Sequence, residues 1–382
     1  MRFVSLVIAA VVAILCIPLD ASAATLAASH LPHVSGFVQL LGLSGFAIGA
    51  ALTATDLTLL DFAKRSDPNG TIADIVELMQ QLNEILLDMT WQEGNLVTGH
   101  RTTVRTGLPA VFWRLLNQGV LGSKSTTAQI DEQCAMLEAW SEIDKDLALL
   151  NGNVNAFRLS ESAPFVEAMC QEMTRVLFYG NSGVSPEQFT GLSPRYSLST
   201  AGNGANVIKA GGAGADNASM WLVGWGKNSI FGIFPKGSKA GLVNEDKGEV
   251  ILQNAGGVTG AKMVALVERF QWKGGIALKD WRYVVRICNI DISDLVANAG
   301  AQASLLQLMA KAIWRLPSLS LSTPVFYANR TVLEFLDIQQ TAAVSVGAGI
   351  TFENVDGQRK YKFRGIPIRT VDQLLETEAL VA

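Results

Sequence analysis

Residues 98–109 read Thr98-Gly-His-Arg-Thr-Thr-Val-Arg-Thr-Gly-Leu-Pro109, and Ala110-Val-Phe-Trp-Arg-Leu-Leu-Asn-Gln-Gly119 follows. Val104–Thr106, Val111–Leu116 and, further on, Ala135–Ser141 have strand-like content. Gly94, Gly99, Gly107, Gly119 and Gly122 cut the region into short pieces. The charges sort by half. Arg101, Arg105 and Arg114 fall in the first, and Glu132, Glu138, Glu142, Asp144 and Asp146 in the second. If the halves pair as one long antiparallel hairpin, the two signs can face each other across it. The region has few apolar residues for a core of its own, and a long hairpin without a core is marginal alone. It needs a neighbouring surface to lie on.

Downstream, Ser160 and Ser162 can cap a helix that tolerates Pro164 in its first turn. Phe165, Val166, Met169, Met173, Val176 and Leu177 form its apolar stripe, and Gly180-Asn181 ends it. This is the expected spine. Upstream, Asp67-Pro-Asn-Gly70 marks a turn. Thr71 with Asp74 resembles a capping box, and helical spacing continues through about Ile72–Met89.

The remainder mixes strands and helices without regular alternation. Met220–Trp225, Ile230–Phe234, Val264–Trp272, Trp281–Ile290 and Pro324–Ala328 read as strands. Ala301–Arg315, Thr331–Gln339 and Val371–Leu380 read as helices. Ile350–Phe363 reads as a hairpin turning at Asp356-Gly357, with Ile366–Ile368 extended. Residues 197–218 form a loop rich in Gly, Ala and Asn. The fold class is α+β.

The first 55 residues differ in texture. They carry one basic residue, Arg2, and one acidic residue, Asp20. Phe3–Leu19 is apolar, and Ala21-Ser22-Ala23 gives an A-x-A exit, the pattern of a secretory signal peptide cleaved after Ala23. Val34–Ala54 is a second uncharged stretch, interrupted by glycines and serines, that reads equally as a segment just long enough to span a bilayer or as a loose apolar leader. Three readings stand: an upstream mis-called start, a leader that is removed, or a fusion to a membrane peptide.

The 382 residues are 49% apolar and 17% charged, with a net charge of −4. The low charge points to surface covered by other subunits, and the acidic balance gives no basic nucleic-acid face. The cysteines Cys16, Cys134, Cys170 and Cys288 are widely spaced and read as buried free thiols.

Little catalytic chemistry is on offer. Of three histidines, His30 and His33 lie in the leader, which leaves His100. General acid–base catalysis needs a positioned partner, and none is suggested for it. Gly232–Lys239 has the glycine spacing of a phosphate loop, but its Ser-Lys order is reversed and Pro235 removes a donor, so it reads as a turn. Gly202-Asn203-Gly204 and Gly211–Gly214 read as loops. Asp144 with Asp146 reads as a solvated or inter-subunit pair rather than a cation site. Catalytic, cofactor and metal residues are expected to be none. The triplets at Asn69, Asn217 and Asn329 have the glycosylation pattern but arise often by chance.

The order of elements resembles the Hong Kong phage capsid fold of tailed double-stranded DNA bacteriophages. Several stretches resemble the major capsid proteins of a podovirus-like and prophage branch of it. They are Thr58–Gly70, Thr98–Pro109, Trp113–Gly119, Phe234–Leu242, Arg282–Asp291 and Gly365–Arg369. The resemblance runs from about Thr53 to the C-terminus. It implies an N-arm with its helix at 53–90, an extended loop at 91–150, a peripheral domain with the spine helix at 151–295, and an axial domain with return strands at 296–382. It also implies a structural protein that is not an enzyme, located in the virion and assembled in the host cytoplasm. Its partners would be copies of itself as pentamers and hexamers, plus scaffolding and portal proteins, with double-stranded DNA enclosed but not read. Arg101, Arg105, Arg114, Glu138, Glu142 and Asp144 are the expected inter-subunit contacts. Residues 1–52 lie outside the resemblance. The alternative takes the leader at face value: an exported or membrane-tethered ligand-binding protein.

Overall fold

Three strands buried on both faces organise the molecule. A computed structural model describes residues 83–150, 153–253, 259–297, 304–343, 350–355 and 358–382. The central strands are β6 (Asn217–Trp225), β10 (Val284–Asp291) and β11 (Thr323–Ala328). Their side chains alternate between two apolar clusters. Trp221, Val223, Trp225, Val284, Cys288, Val325 and Tyr327 enter the first. Ala218, Met220, Leu222, Val285, Ile287, Phe326 and Ala328 enter the second. That period of two is what an extended chain imposes when helices cover both faces.

The first cluster is covered by α3 (Val154–Tyr179), through Met169, Met173, Val176 and Leu177. The second is covered by α6 (Leu305–Ile313) and α7 (Arg330–Ala343), through Leu308, Met309, Val332 and Phe335. The result is helix, sheet, helix, with no regular βαβ alternation.

Among the described residues twelve strands join one sheet. Its main path runs β12 (Ile350–Val355), β13 (Gln358–Phe363), β14 (Ile366–Thr370), β11, β6, β7 (Ile230–Phe234), β9 (Lys262–Leu278) and β4 (Ala135–Asp144). Off that path, β1 (Trp91–Glu93) runs parallel to β7, β5 (Val207–Lys209) runs parallel to β10, and β8 (Leu242–Gln253) pairs with β9. A separate two-stranded sheet holds β2 (Gly99–Gly107) and β3 (Thr126–Gln133). Short helices are α1 (Ile85–Asp88), α2 (Lys145–Leu149), α4 (Leu192–Arg195) and α5 (Ile292–Ala297). By contact density the chain divides into residues 57–251 with 264–382, and residues 1–56 with 252–263. The second unit is described only at 252–253 and 259–263.

The spine helix starts earlier than Ser160. Asn153 caps it by accepting from Ala156 N–H (3.2 Å), and buried Phe157 anchors the first turns. Ser160 and Ser162 instead turn their hydroxyls back onto the carbonyls of Phe157 and Arg158, at 2.8 Å each. Pro164 is therefore inside the helix, and its 26 residues make a rod of about 39 Å. Gly180 ends it as expected, donating to Val176 O at 2.8 Å.

The expected closing helix at Val371–Leu380 does not form, because the tail's backbone is bonded elsewhere. Val371 N–H donates to Ala328 O and Glu378 N–H to Asn217 O. Asn329 Nδ2 donates to Leu374 O, and the Asn289 side chain both donates to Val381 O (3.0 Å) and accepts from Val381 N–H (2.9 Å). The expected helix over Ile72–Met89 is not continuous either. Asn83 bridges to Val371, Ile85–Asp88 is helical among the described residues of this stretch, and residues 72–82 lie outside them. So do the leader, the turn at Asp67–Gly70 and the hairpin turn at Asp356-Gly357.

Glu378 is the reason the tail is held. Arg286, on β10, donates Nη2 to Glu378 Oε2 (2.8 Å), Nε to Ser219 Oγ (3.1 Å) and Nη1 to Tyr196 O (3.0 Å). Ser219 Oγ donates to the same carboxylate oxygen, and Tyr179 Oη donates to Oε1 at 2.5 Å. The guanidinium also lies 5.1 Å from the Trp221 ring centroid. Burial first, then the Glu378 charge, raises the Tyr179 hydroxyl well above its ordinary range, so it remains a donor. Breaking such a buried pair from one side leaves an uncompensated charge and costs about 3–5 kcal/mol, whereas replacing both partners by apolar groups of similar size is far milder. Chemical denaturation is expected to show Arg286→Met and Glu378→Met each strongly destabilising, with the double variant more stable than either single.

Candidate functional site

The β2–β3 hairpin stands apart from the main sheet, and its root is tightly built. An added Cβ at Gly94 would lie 2.3 Å from Gly99 O, and one at Gly99 would lie 2.0 Å from Glu132 O, so only glycine fits where these segments cross. Cys134 N–H donates to Thr98 O (2.9 Å), and Gly94 N–H donates to Phe234 O (2.8 Å). Buried Glu132 receives a parallel pair of bonds from Arg195 Nη1 and Nη2, both 2.6 Å. Arg195 also donates to Thr190 O and Gly191 O, which fixes the guanidinium to the turn after α3. His100 packs edge-on against Phe231 (5.5 Å), and burial lowers its pKa.

The far end is open. Residues 108–125 contain no strand or helix. The expected strand at Val111–Leu116 is irregular chain, because it has no partner strand and no core. Leu108, Val111, Phe112, Trp113, Leu115, Leu116, Val120 and Leu121 are all exposed, Trp113 completely. Phe112 and Trp113 alone carry roughly 150–250 Å² each. An apolar patch of this extent marks an interaction surface.

The charges separate differently from the long-hairpin expectation. Arg101 stands opposite Asp131, not opposite a residue of β4, and the two form a bidentate pair (2.6 and 2.7 Å). This pair is solvent-exposed and contributes little to stability. β4 leaves the hairpin and pairs with β9, from Ala135↔Gly274 to Asp144↔Ala265. Glu138 there accepts from Arg269 (2.7 Å), Gln271 (2.9 Å) and Trp140 (2.8 Å). Asp144 caps α2 by accepting from Asp146 N–H at 3.0 Å. Arg105, Arg114 and Glu142 carry no ion pair among the described residues and remain exposed.

Other candidates resolve into structure. Gly232–Phe234 lies in β7, where a Cβ on Gly232 would meet Met89 and Trp91 at 2.8 Å, and Gly237 turns the chain with φ +81°. Cys134 and Cys170 are half-buried and Cys288 is buried. Burial pushes the Cys134 thiol up to about 11. Asn217 and Asn329 are buried with their side chains bonded internally. No group of three or more potential metal ligands occurs among the described residues. No described helix is long and apolar enough to cross a membrane. Sequence reading missed the Glu132–Arg195 root and the Arg286–Glu378 cluster, since partners 63 and 92 residues apart leave no local pattern.

An open apolar arm on a rigid root, a spine helix and a two-faced sheet are the features that comparison with known proteins places. A model of the major capsid protein GP7 family matches residues 67–382. The chain belongs to that family. A chain in the near-atomic cryo-EM structure of bacteriophage Epsilon15 is 31% identical with a TM-score of 0.68, covering 87% of this chain and 99% of that one. The capsid of bacteriophage JBD30, decorated with minor capsid protein trimers, is 10% identical with a TM-score of 0.40, covering 85% and 97%. The capsid of the native GTA particle is 9% identical with a TM-score of 0.40, covering 59% and 95%. No curated protein matches. The fold is the Hong Kong phage capsid fold, and the protein is a phage major capsid protein located in the virion shell. The exported ligand-binding alternative gains no support.

Two outcomes check the site's electrostatics. The Arg269 hydrogen bond holds the Glu138 carboxyl at about 2, so the stabilisation is present above the ordinary carboxylate range and is lost as pH falls towards 2. NMR titration is expected to find that low value and to find it raised towards the ordinary carboxylate range in Arg269→Met, where Gln271 and Trp140 still donate to the carboxylate. Hydrogen exchange is expected to show Glu132→Gln loosening residues 99–107 and 126–133 while β6, β10 and β11 keep their protection.

Proposed function

We propose that the chain assembles into pentamers and hexamers that close an icosahedral shell around double-stranded DNA in the host cytoplasm, on a scaffolding protein and around a portal. In this reading the chain from residue 53 onward builds the shell. Residues 53–90 serve as N-arm, 91–150 as extended loop, 151–295 as peripheral domain and 296–382 as axial domain. The role is structural, not catalytic. The DNA is enclosed without sequence readout, in keeping with the net charge of −4.

The observation that carries the reading is the apolar stretch 108–121, exposed at the end of a hairpin whose root is pinned by Glu132 and Arg195. Among the described residues nothing covers it, whereas a ring of head-to-tail contacts supplies the same neighbouring face to every copy. Of the six charged residues expected between subunits, Arg105, Arg114 and Glu142 are the ones free to pair outward. Arg101, Glu138 and Asp144 already have intrachain partners.

Electron microscopy with light scattering on the chain, with and without residues 1–52, tests this. Rings, tubes or closed shells are expected for both. A stable monomer under assembly-promoting conditions, even with a co-expressed scaffold, would contradict it.

A further inference from the structure

A cleft of about 650 Å³ lies between β2, along Thr102–Gly107, and the loop Lys279–Arg282 that follows β9. Sites for small ligands commonly have volumes of roughly 300–1,000 Å³. Both walls belong to one chain, so the cleft is present in every subunit. The net charge of the chain is −4, yet this lining carries three cations and one carboxylate. The carboxylate, Asp280, is already bonded by Arg282 through Nε (2.9 Å) and Nη2 (2.8 Å). Arg105 on the hairpin wall and Lys279 on the body wall have no carboxylate partner among the described residues. The Lys279 ammonium lies 4.9 Å from the centroid of the Phe231 ring. Thr102, also in the lining, is 9% exposed, and its hydroxyl has no hydrogen-bond partner among the described residues. A buried hydroxyl left without a partner costs stability, which a ligand oxygen would restore.

Unpaired cations on opposite walls repel one another, and a multivalent anion between them replaces that repulsion with two attractions. Arginine, lysine and threonine together are the side chains that hold phosphate oxygens without reading a base. We infer that the cleft binds an oligophosphate anion, which bridges Arg105 and Lys279 and accepts a hydrogen bond from the Thr102 hydroxyl. Trp281 is partly exposed in the same lining and offers an aromatic face to a base carried by those phosphates. Bound there, the anion ties the hairpin wall to the body wall and so restrains β2.

The test is titration of the full chain with tripolyphosphate, with ionic strength held constant by sodium chloride. Calorimetry reads binding, and hydrogen exchange reads residues 99–107. Saturable binding with slowed exchange in β2 is expected. Arg105→Gln and Lys279→Gln are each expected to weaken binding by about tenfold, the scale of one hydrogen bond to a charged group. Thr102→Val, which keeps the shape and removes the hydroxyl, is expected to weaken it more modestly. Lys311→Gln, on α6 and outside the lining, is expected to change nothing. Circular dichroism would verify that each variant is folded. No binding beyond the chloride control, or an equal loss in Lys311→Gln, overturns the site and leaves the shell-building reading untouched. Two further probes identify the source of the phosphates. ATP binding more tightly than tripolyphosphate points to a free nucleotide. A duplex oligonucleotide that binds with the same dependence on Arg105 and Lys279 points to the nucleic-acid backbone.

Discussion

Glu132 and Arg195 join the root of the β2–β3 hairpin to the body through two parallel bonds of 2.6 Å each, and the character of the surface follows from where that restraint leaves the hairpin's far end. Glycines at 94 and 99 let three backbone segments cross closely beneath it. The apolar residues of 108–121 lie exposed in the described structure. A free apolar loop would ordinarily collapse onto the nearest apolar face or aggregate. No described residue of the chain covers it. In a family whose members build shells, the proposed partner is another copy.

The body behind the root is packed on both faces of its sheet. Three central strands alternate their side chains into two clusters, so each face of the sheet is filled by helices and neither is left to solvent. The tail closes the first cluster from the end opposite in sequence. Arg286, Ser219 and Tyr179 converge on Glu378, and Asn289 grips Val381 by both hydrogen-bonding groups of its amide. A buried charge satisfied on every side adds more to uniqueness of arrangement than to raw stability. That is a sensible property for a subunit that must present the same surface in every copy.

Much of this was legible in the sequence where the cause is local. The strands at Ile230–Phe234 and Met220–Trp225 follow from dense apolar and aromatic runs, and the end of the spine helix follows from Gly180. The coreless hairpin was legible as well, because alternating threonines and arginines between glycines cannot fill an interior. What escaped was set by distant partners. Val371–Leu380 has helical spacing, yet Asn217, Asn289, Asn329 and Arg286 hold it extended. Ser160 and Ser162 look like caps, yet the better cap is Asn153, with Phe157 buried behind it. Val111–Leu116 has strand composition, but a strand needs a neighbour to pair with, and none of the described residues provides one. The two signs do not face each other across one long hairpin, since β4 departs to β9 and leaves Arg101 facing Asp131.

The most direct measurement of the central claim is hydroxyl-radical footprinting of residues 108–121, compared between free subunits and assembled particles. Trp113 and the leucines around it are expected to label strongly in the subunit and to become protected in the particle, while Trp314, exposed elsewhere on the chain, serves as an internal reference. Equal labelling of 108–121 in both states would mean that the arm stays in solvent after assembly, and that its apolar end is not what joins one copy to the next.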